Sequence, residues 1–192
     1  MHKSSALVIA LLASILVVGR SPAQEPDTTR AGNEKVAEIM RTFGGRGVMA
    51  DDSEPTAATD AVKQFSIRKG FGLEVAASEP IVAQPLFVSW DSRGRMWVVQ
   101  YRQYQYPAGL KVIRFDQHLR AVFDKVPDPP PTGTPGLDKI TVHEDTDGDG
   151  TYDKHKEVLS NLNIATSVQV GDGGIWVLNP PYLLRYPDAD RD

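Results

Sequence analysis

The densest chemistry in the sequence is the run Asp145-Thr146-Asp147-Gly148-Asp149-Gly150-Thr151-Tyr152-Asp153. Carboxylates at alternate positions converge on one point when a glycine lets the backbone turn sharply, and a hard divalent cation needs that arrangement. Calcium takes about six to eight oxygens at ~2.3–2.6 Å. Asp145, Asp147 and Asp149 would supply the first of them, with the Thr151 carbonyl and the Asp153 carboxylate filling the sphere. Magnesium suits the loop less, because it demands tight octahedral geometry and keeps its waters. Four carboxylates in one compact loop repel each other unless neutralised, so the alternative is an open, solvated turn. A helix–loop–helix calcium site would need a bidentate Glu where Lys156 stands. The flanks Ile140-Thr141-Val142 and Val158-Leu159 read as strands. The expectation is a calcium loop inside a β-hairpin.

Positioning that loop falls to a series of short β runs that starts at Phe65. Phe65–Arg68 and Leu73–Ala76 are candidate strands around Gly70 and Gly72. Leu86–Trp90 and Met96–Gln100 flank the turn residues Asp91-Ser92-Arg93-Gly94, a hairpin signal. Lys139–His143 and His155–Leu159 flank the aspartate loop. Thr166–Val170 and Ile175–Leu178 flank Gly171-Asp172-Gly173-Gly174, and Tyr182–Tyr186 follows. No amphipathic helix of convincing length interrupts this series, which argues against βαβ crossovers, and the class is all-β.

The runs repeat. Gly94-Arg95-Met96-Trp97-Val98-Val99 aligns with Gly173-Gly174-Ile175-Trp176-Val177-Leu178. Asp145-x-Asp147-x-Asp149 aligns with Asp188-x-Asp190-x-Asp192, a partial second metal loop. The two loops start 43 residues apart, within the ~40–45 of a four-stranded propeller blade. Each unit reads strand, Gly turn, strand with a core Trp, strand, Asp loop, strand. The predicted fold over 65–192 is an incomplete β-propeller, one full blade and most of a second, forming the front of a longer protein. In such a blade the Asp loop and the first Gly turn share one end. The long insertion from Tyr101 to Leu137 emerges at the other, which makes the ion structural rather than a Lewis acid in an active site.

The N-terminus reads as an export signal over residues 1–23. His2 and Lys3 precede an apolar run from Ala6 to Val18, and Ser21-Pro22-Ala23 offers a small-residue cleavage site. An uncleaved anchor is the alternative, although the run is short for the hydrocarbon layer. Residues 24–64 read as a poorly ordered linker, with one short helix over Asn33–Thr42 that docks through Val36, Ile39, Met40 and Phe43. Gly45-x-Gly47-x-x-Ala50 matches a dinucleotide fingerprint on paper, but without the preceding strand and following helix it is rejected. The chain has 192 residues, no Cys and a formal charge of −4. The lack of Cys excludes disulfides, thiolate zinc, a Cys nucleophile and haem attachment within it. The acidic balance excludes a general nucleic-acid binder.

Other candidates are weaker. Tyr101, Arg102, Tyr104 and Tyr106, with the stiff Pro127-Asp128-Pro129-Pro130-Pro131, either line a ligand funnel or pack the insertion down. His118, His143 and His155 lack ligand spacing, and alternation with Ile140 and Val142 places His143 toward solvent. No nucleophile elbow or phosphate loop is present.

The ordered combination of Gly70–Pro80, Asp91–Val98, Asp145–Asp153 and Leu178–Leu183 resembles the N-terminal propeller of the planctomycete and verrucomicrobial membrane-bound dehydrogenases. The resemblance covers roughly residues 65–192. It implies a large exported protein, periplasmic or at the cell surface, associated with a membrane. The implied propeller is akin to the glucose/sorbosone quinoprotein dehydrogenases, with a sugar or alcohol substrate, pyrroloquinoline quinone and a downstream c-type haem. It places no catalytic or quinone-contacting side chain on this chain. The competing expectation is a non-enzymatic, calcium-stabilised propeller that binds polysaccharide or protein at the cell surface. Oligomeric state is left open.

Overall fold

The computed structural model describes residues 28–42, 56–103 and 106–187. The predicted export segment, Phe43, the Gly45-x-Gly47-x-x-Ala50 match, Tyr104 and the predicted repeat loop of Asp188, Asp190 and Asp192 lie outside them. Among the described residues no helix is long and apolar enough to cross a membrane.

The strands form where β-branched and aromatic runs meet Gly and Asp turns. Strands β1 (Pro85–Trp90) and β2 (Met96–Gln100) make the first hairpin. Within the insertion, β3 (Val112–Phe115) and β4 (Ala121–Phe123) pair with each other. Then β5 (Asp138–Glu144) pairs back onto β2, and β6 (Lys154–Leu162) pairs onto β5. The result is a four-stranded antiparallel sheet ordered β1-β2-β5-β6. Strands β7 (Ser167–Gly171), β8 (Gly174–Asn179) and β9 (Tyr182–Pro187) form a three-stranded antiparallel sheet. The all-β class stands. The insertion hairpin has no counterpart in the sequence reading.

Two turns share one device. Asp91 accepts the Arg93 and Arg95 N–H groups at 2.9 and 3.0 Å and the Arg95 side chain at 2.7 Å. Asp116 accepts the His118 and Arg120 N–H groups at 2.7 and 3.0 Å and the Arg120 side chain at 2.7 Å. Burial alone would raise the Asp91 carboxyl, but bonds from Trp97 and Arg95 outweigh it and hold Asp91 below the usual range. Before each arginine one residue is left-handed: Gly94 at φ 76° and Leu119 at φ 60°. An L-residue there costs roughly 1–2 kcal/mol, part of which glycine's unfolded-state freedom offsets. Leu119→Gly is therefore expected to stabilise the chain by about 0.5–1 kcal/mol in urea unfolding, and a loss of stability would contradict the shared turn.

The main core lies between the two sheets. Trp97, Val99, Ile140 and Val142 on one side meet Val168, Ile175 and Val177 on the other. Trp97 is 1% exposed, under the Arg95 guanidinium at 5.6 Å from the ring centroid. Trp176 holds the matching place in β8, with Arg185 at 5.7 Å over its ring. Strand alternation turns it to the opposite face from Ile175 and Val177, so it is half-buried rather than core. The difference follows from cover: the second sheet lies on the Trp97 face, and no described sheet lies on the Trp176 face.

Helix α1 (Glu34–Thr42) starts at Asn33, whose Oδ1 accepts the Val36 N–H at 3.0 Å. Its Val36 and Met40 pack on Val112, with Tyr106 and Phe123 at the rim. Tyr106 thus packs the insertion down.

The runs at Phe65–Arg68 and Leu73–Ala76 belong to no sheet, and a turn with Gly70 at φ 94° separates them. The segment leading to β1 instead lies along the four-stranded sheet. Ala83 N–H donates to Gln100 Oε1 at 2.9 Å, and Gln100 Nε2 donates to the Ile81 carbonyl at 3.2 Å and to Thr141 Oγ1 at 2.9 Å. His143, on the same face of β5 as Thr141, is completely buried, contrary to the solvent-facing expectation. Thr141 Oγ1 meets His143 Nε2 at 2.8 Å, Nδ1 has no partner, and the ring stacks on His155 with centroids 5.8 Å apart.

Two buried groups titrate against each other. Burial, with the neighbouring His155, pushes His143 down from 6.5 to about 4. Its contribution to stability is complete above the unfolded value and is lost as pH falls through about 4. Burial pushes Asp138 up from 3.8 to about 6, against the backbone N–H groups that lower it. Its contribution is complete below 3.8 and is lost as pH rises through about 6. Each shift corresponds to about 3 kcal/mol, so the two nearly cancel in the wild-type profile. Relative to wild type, Asp138→Asn is expected to gain stability as pH rises from ~4 to ~6.5, and His143→Gln to lose it. Urea unfolding in chelator across that range checks the signs, and two flat difference profiles would refute the assignment.

Candidate metal centre

The β5–β6 hairpin positions the aspartate loop at the end of the sheet away from the insertion, because β5 enters from Leu137 and leaves toward Asp145. Left-handed Gly148 at φ 78° and Gly150 at φ 93° fold the loop back on itself. Asp145 then accepts the Gly148 N–H on Oδ1 at 2.7 Å and the Gly150 N–H on Oδ2 at 3.0 Å. Asp147 accepts the Asp149 N–H at 3.3 Å, and Asp149 accepts the Thr151 N–H at 2.7 Å. The Gly150 N–H is the largest influence holding the Asp145 carboxyl below the usual range.

One oxygen from each of Asp145, Asp147 and Asp149 lies within 4.8 Å of the others. The sequence-predicted trio is thus brought together. Asp153 is not part of the group: Oδ1 accepts the Thr146 N–H at 2.9 Å and Oδ2 the Thr146 hydroxyl at 2.5 Å. The bond from the Thr146 hydroxyl is the largest influence keeping Asp153 below its usual range. Asp153 closes the loop across its base, and Thr151 donates its N–H to Asp149.

The sequence reading missed Glu74. Its carboxylate stands beside the loop, so close that a Cβ built on Gly150 would lie 3.0 Å from Glu74 Oε2. The same upstream segment accepts the Tyr152 N–H on the Ala76 carbonyl at 2.9 Å. Trp90 Nε1 donates to the Tyr152 hydroxyl at 2.7 Å. Nothing local marks Glu74, because its place depends on a contact between distant stretches of chain. The donor set of three convergent carboxylates with a fourth adjacent is all oxygen, which suits calcium rather than a soft metal.

At the other end of the sheets, Asp138 holds three segments together. Its Oδ1 accepts the Arg102 N–H at 3.0 Å, and its Oδ2 accepts the Ile164 and Ala165 N–H groups at 2.8 and 3.3 Å. The carboxylate is fully used by backbone, so it reads as an architectural group.

No curated protein and no solved structure matches the chain. A family match does exist, and it takes in the segment along the first sheet, both sheets, the insertion and the aspartate loop. Over residues 57–192 the chain belongs to the family described as Domain of unknown function (DUF7133).

Proposed function

We propose that this chain is a calcium-stabilised segment of an exported β-propeller, and that its ion is structural. The observation carrying the reading is the convergence of Asp145, Asp147 and Asp149 within 4.8 Å at a hairpin end remote from the insertion. An ion there offsets the mutual repulsion of the carboxylates and ties β5 to β6. The propeller part is supported by two antiparallel sheets stacked face to face with matching Trp and Arg pairs. The deciding experiment is calcium competition against terbium luminescence, sensitised by Tyr152 and Trp90. Saturable binding at ~10⁻⁴–10⁻³ M is expected for the wild type, and its loss in Asp147→Ala. Equal binding by the two proteins would refute the site.

The activity that goes with this reading is a quinoprotein-like dehydrogenation of a sugar or alcohol. Its support is the resemblance carried by Gly70–Pro80, Asp91–Val98 and Asp145–Asp153. Pyrroloquinoline quinone would accept the substrate's electrons and a downstream haem c would take them on; no side chain of this chain is assigned to either. Dye-linked turnover of the longest natural form, reconstituted with the quinone, tests it. Absence of turnover across sugars and alcohols favours the alternative, a propeller that binds polysaccharide or protein.

A further inference from the structure

We infer that a basic cleft on the first sheet is the docking site of this chain's own acidic segment Asp188-Ala189-Asp190-Arg191-Asp192, whose carboxylates fasten the second sheet to the first. The inference goes beyond the calcium reading and needs no ion. A cavity of about 200 Å³ lies beside Val142 at the aspartate-loop end of the first sheet, lined by Arg93, Arg95, Lys154, His155, Lys156 and Glu144. Val142 belongs to the core between the sheets, so the cleft opens on the face that the second sheet covers. Arg95 is tied to Asp91 at 2.7 Å and Lys154 to Glu144 at 2.6 Å. Asp145 stands beside Arg93 and Arg95 at the mouth, its oxygens engaged by the Gly148 and Gly150 N–H groups. The guanidinium groups of Arg93 and Arg95 and the ammonium groups of Lys154 and Lys156 thus outnumber Asp91 and Glu144. Like charges gathered in one cleft repel each other, and an anionic group that reaches them is attracted.

The topology delivers such a group. Arg93 and Arg95 also line a groove with Gly171, Asp172, Gly173 and Gly174, where the first turns of the two sheets meet. Gly174 is the register partner of Pro187, the last residue of β9. The covalent chain therefore continues into Asp188 from the rim of the groove that both arginines share. Five residues reach at most about 17 Å. They carry the carboxylates of Asp188, Asp190 and Asp192 against the single guanidinium of Arg191. The two ends of the stack are then held by different means. Asp138 ties the insertion end through Arg102, Ile164 and Ala165, and the acidic segment ties the aspartate-loop end.

Carbodiimide coupling of the 192-residue chain in chelator and low salt, read by peptide mass spectrometry, tests the inference. The reagent activates a carboxylate, and a neighbouring lysine amine displaces it to leave an amide. Lys154 and Lys156 are expected to couple to Asp188, Asp190 or Asp192, whereas Lys63, Lys111 and Lys125 are not. The yield should fade in ~1 M salt, where charges are screened within about 3 Å. Arg93→Glu leaves both amines in place and should cut the yield about fivefold. Coupling of the segment to Lys111 and Lys125 as readily as to Lys154 and Lys156 overturns the inference. So does its absence while Lys154 couples to Glu144. Mixing isotope-labelled and unlabelled chains identifies the source of the segment. Products that join two chains would put a second copy's segment in the cleft, which also overturns the inference. Loss of calcium binding by the aspartate loop alters none of these outcomes, since the reaction contains no free ion.

Discussion

Asp138→Ala is expected to cost about 4 kcal/mol at pH ~4, where the contribution of the buried carboxyl is complete, enough to move a marginal domain to the edge of unfolding. At neutral pH, where most of that contribution is lost, the expected cost is about 1 kcal/mol. The carboxylate is completely buried and serves backbone donors from two remote places, Arg102 at the start of the insertion and Ile164 and Ala165 in the link between the sheets. Removing it leaves three buried N–H groups without their acceptor. It also releases a strained stretch. Asn161 and Ile164 hold φ of 58° and 68°, and a β-branched residue in that region persists only when its surroundings over-determine it. The Ile164 N–H bond at 2.8 Å is one of the constraints that does so. Asp138→Asn keeps one acceptor oxygen and should lose roughly half as much at pH ~4, a loss that shrinks as pH rises. Urea unfolding measures both, and hydrogen exchange should find faster opening around residues 161–165. An alanine variant within about 1 kcal/mol of wild type at pH ~4 would show that the three segments are held by something else.

Much of this architecture was readable from local pattern, and all but one of the failures share a cause. The hairpins at Asp91–Gly94 and Gly171–Gly174, and the aspartate loop with its Gly148 and Gly150, are set by residues adjacent in sequence. Their strands were placed to within two residues except for the longer β6. Phe65–Arg68 and Leu73–Ala76 have strand-like composition, yet a strand exists only with a hydrogen-bonding partner, and none of the described strands pairs with them. His143 was misplaced because alternation identifies two faces of a strand without saying what covers the second. Here that face is buried too, with the chain at Ile81 and Ala83 bonded to Gln100 on it. Glu74 and Asp138 carry no local signal at all. The Asp116–Arg120 turn did carry one, the same five-residue spacing as Asp91–Arg95, and it would have located the insertion hairpin.

Calcium at ~10 mM is expected to stabilise the wild type by about 1.4–2.7 kcal/mol, the linkage value for a dissociation constant of ~10⁻³ to ~10⁻⁴ M. The aspartates of the loop should divide by role. Asp145 accepts two backbone N–H groups that shape the loop, so Asp145→Asn is expected to lower stability even in chelator and to abolish the calcium increment. Asp147 accepts a single long bond of 3.3 Å from Asp149. Asp147→Asn should therefore match wild type in chelator, or exceed it slightly through reduced repulsion, and fail to respond to added calcium. Glu74→Gln separates a ligand from a neighbour: a reduced calcium increment with unchanged chelator stability identifies Glu74 as part of the ion's environment. Magnesium at the same concentration should give a smaller increment, because the loop's flexible carboxylates suit a larger coordination sphere. Thermal unfolding with and without chelator reads all of these. If Asp147→Asn and wild type gain equally from calcium, the cation acts elsewhere on the acidic surface, and the aspartate loop is a turn held by its own backbone bonds.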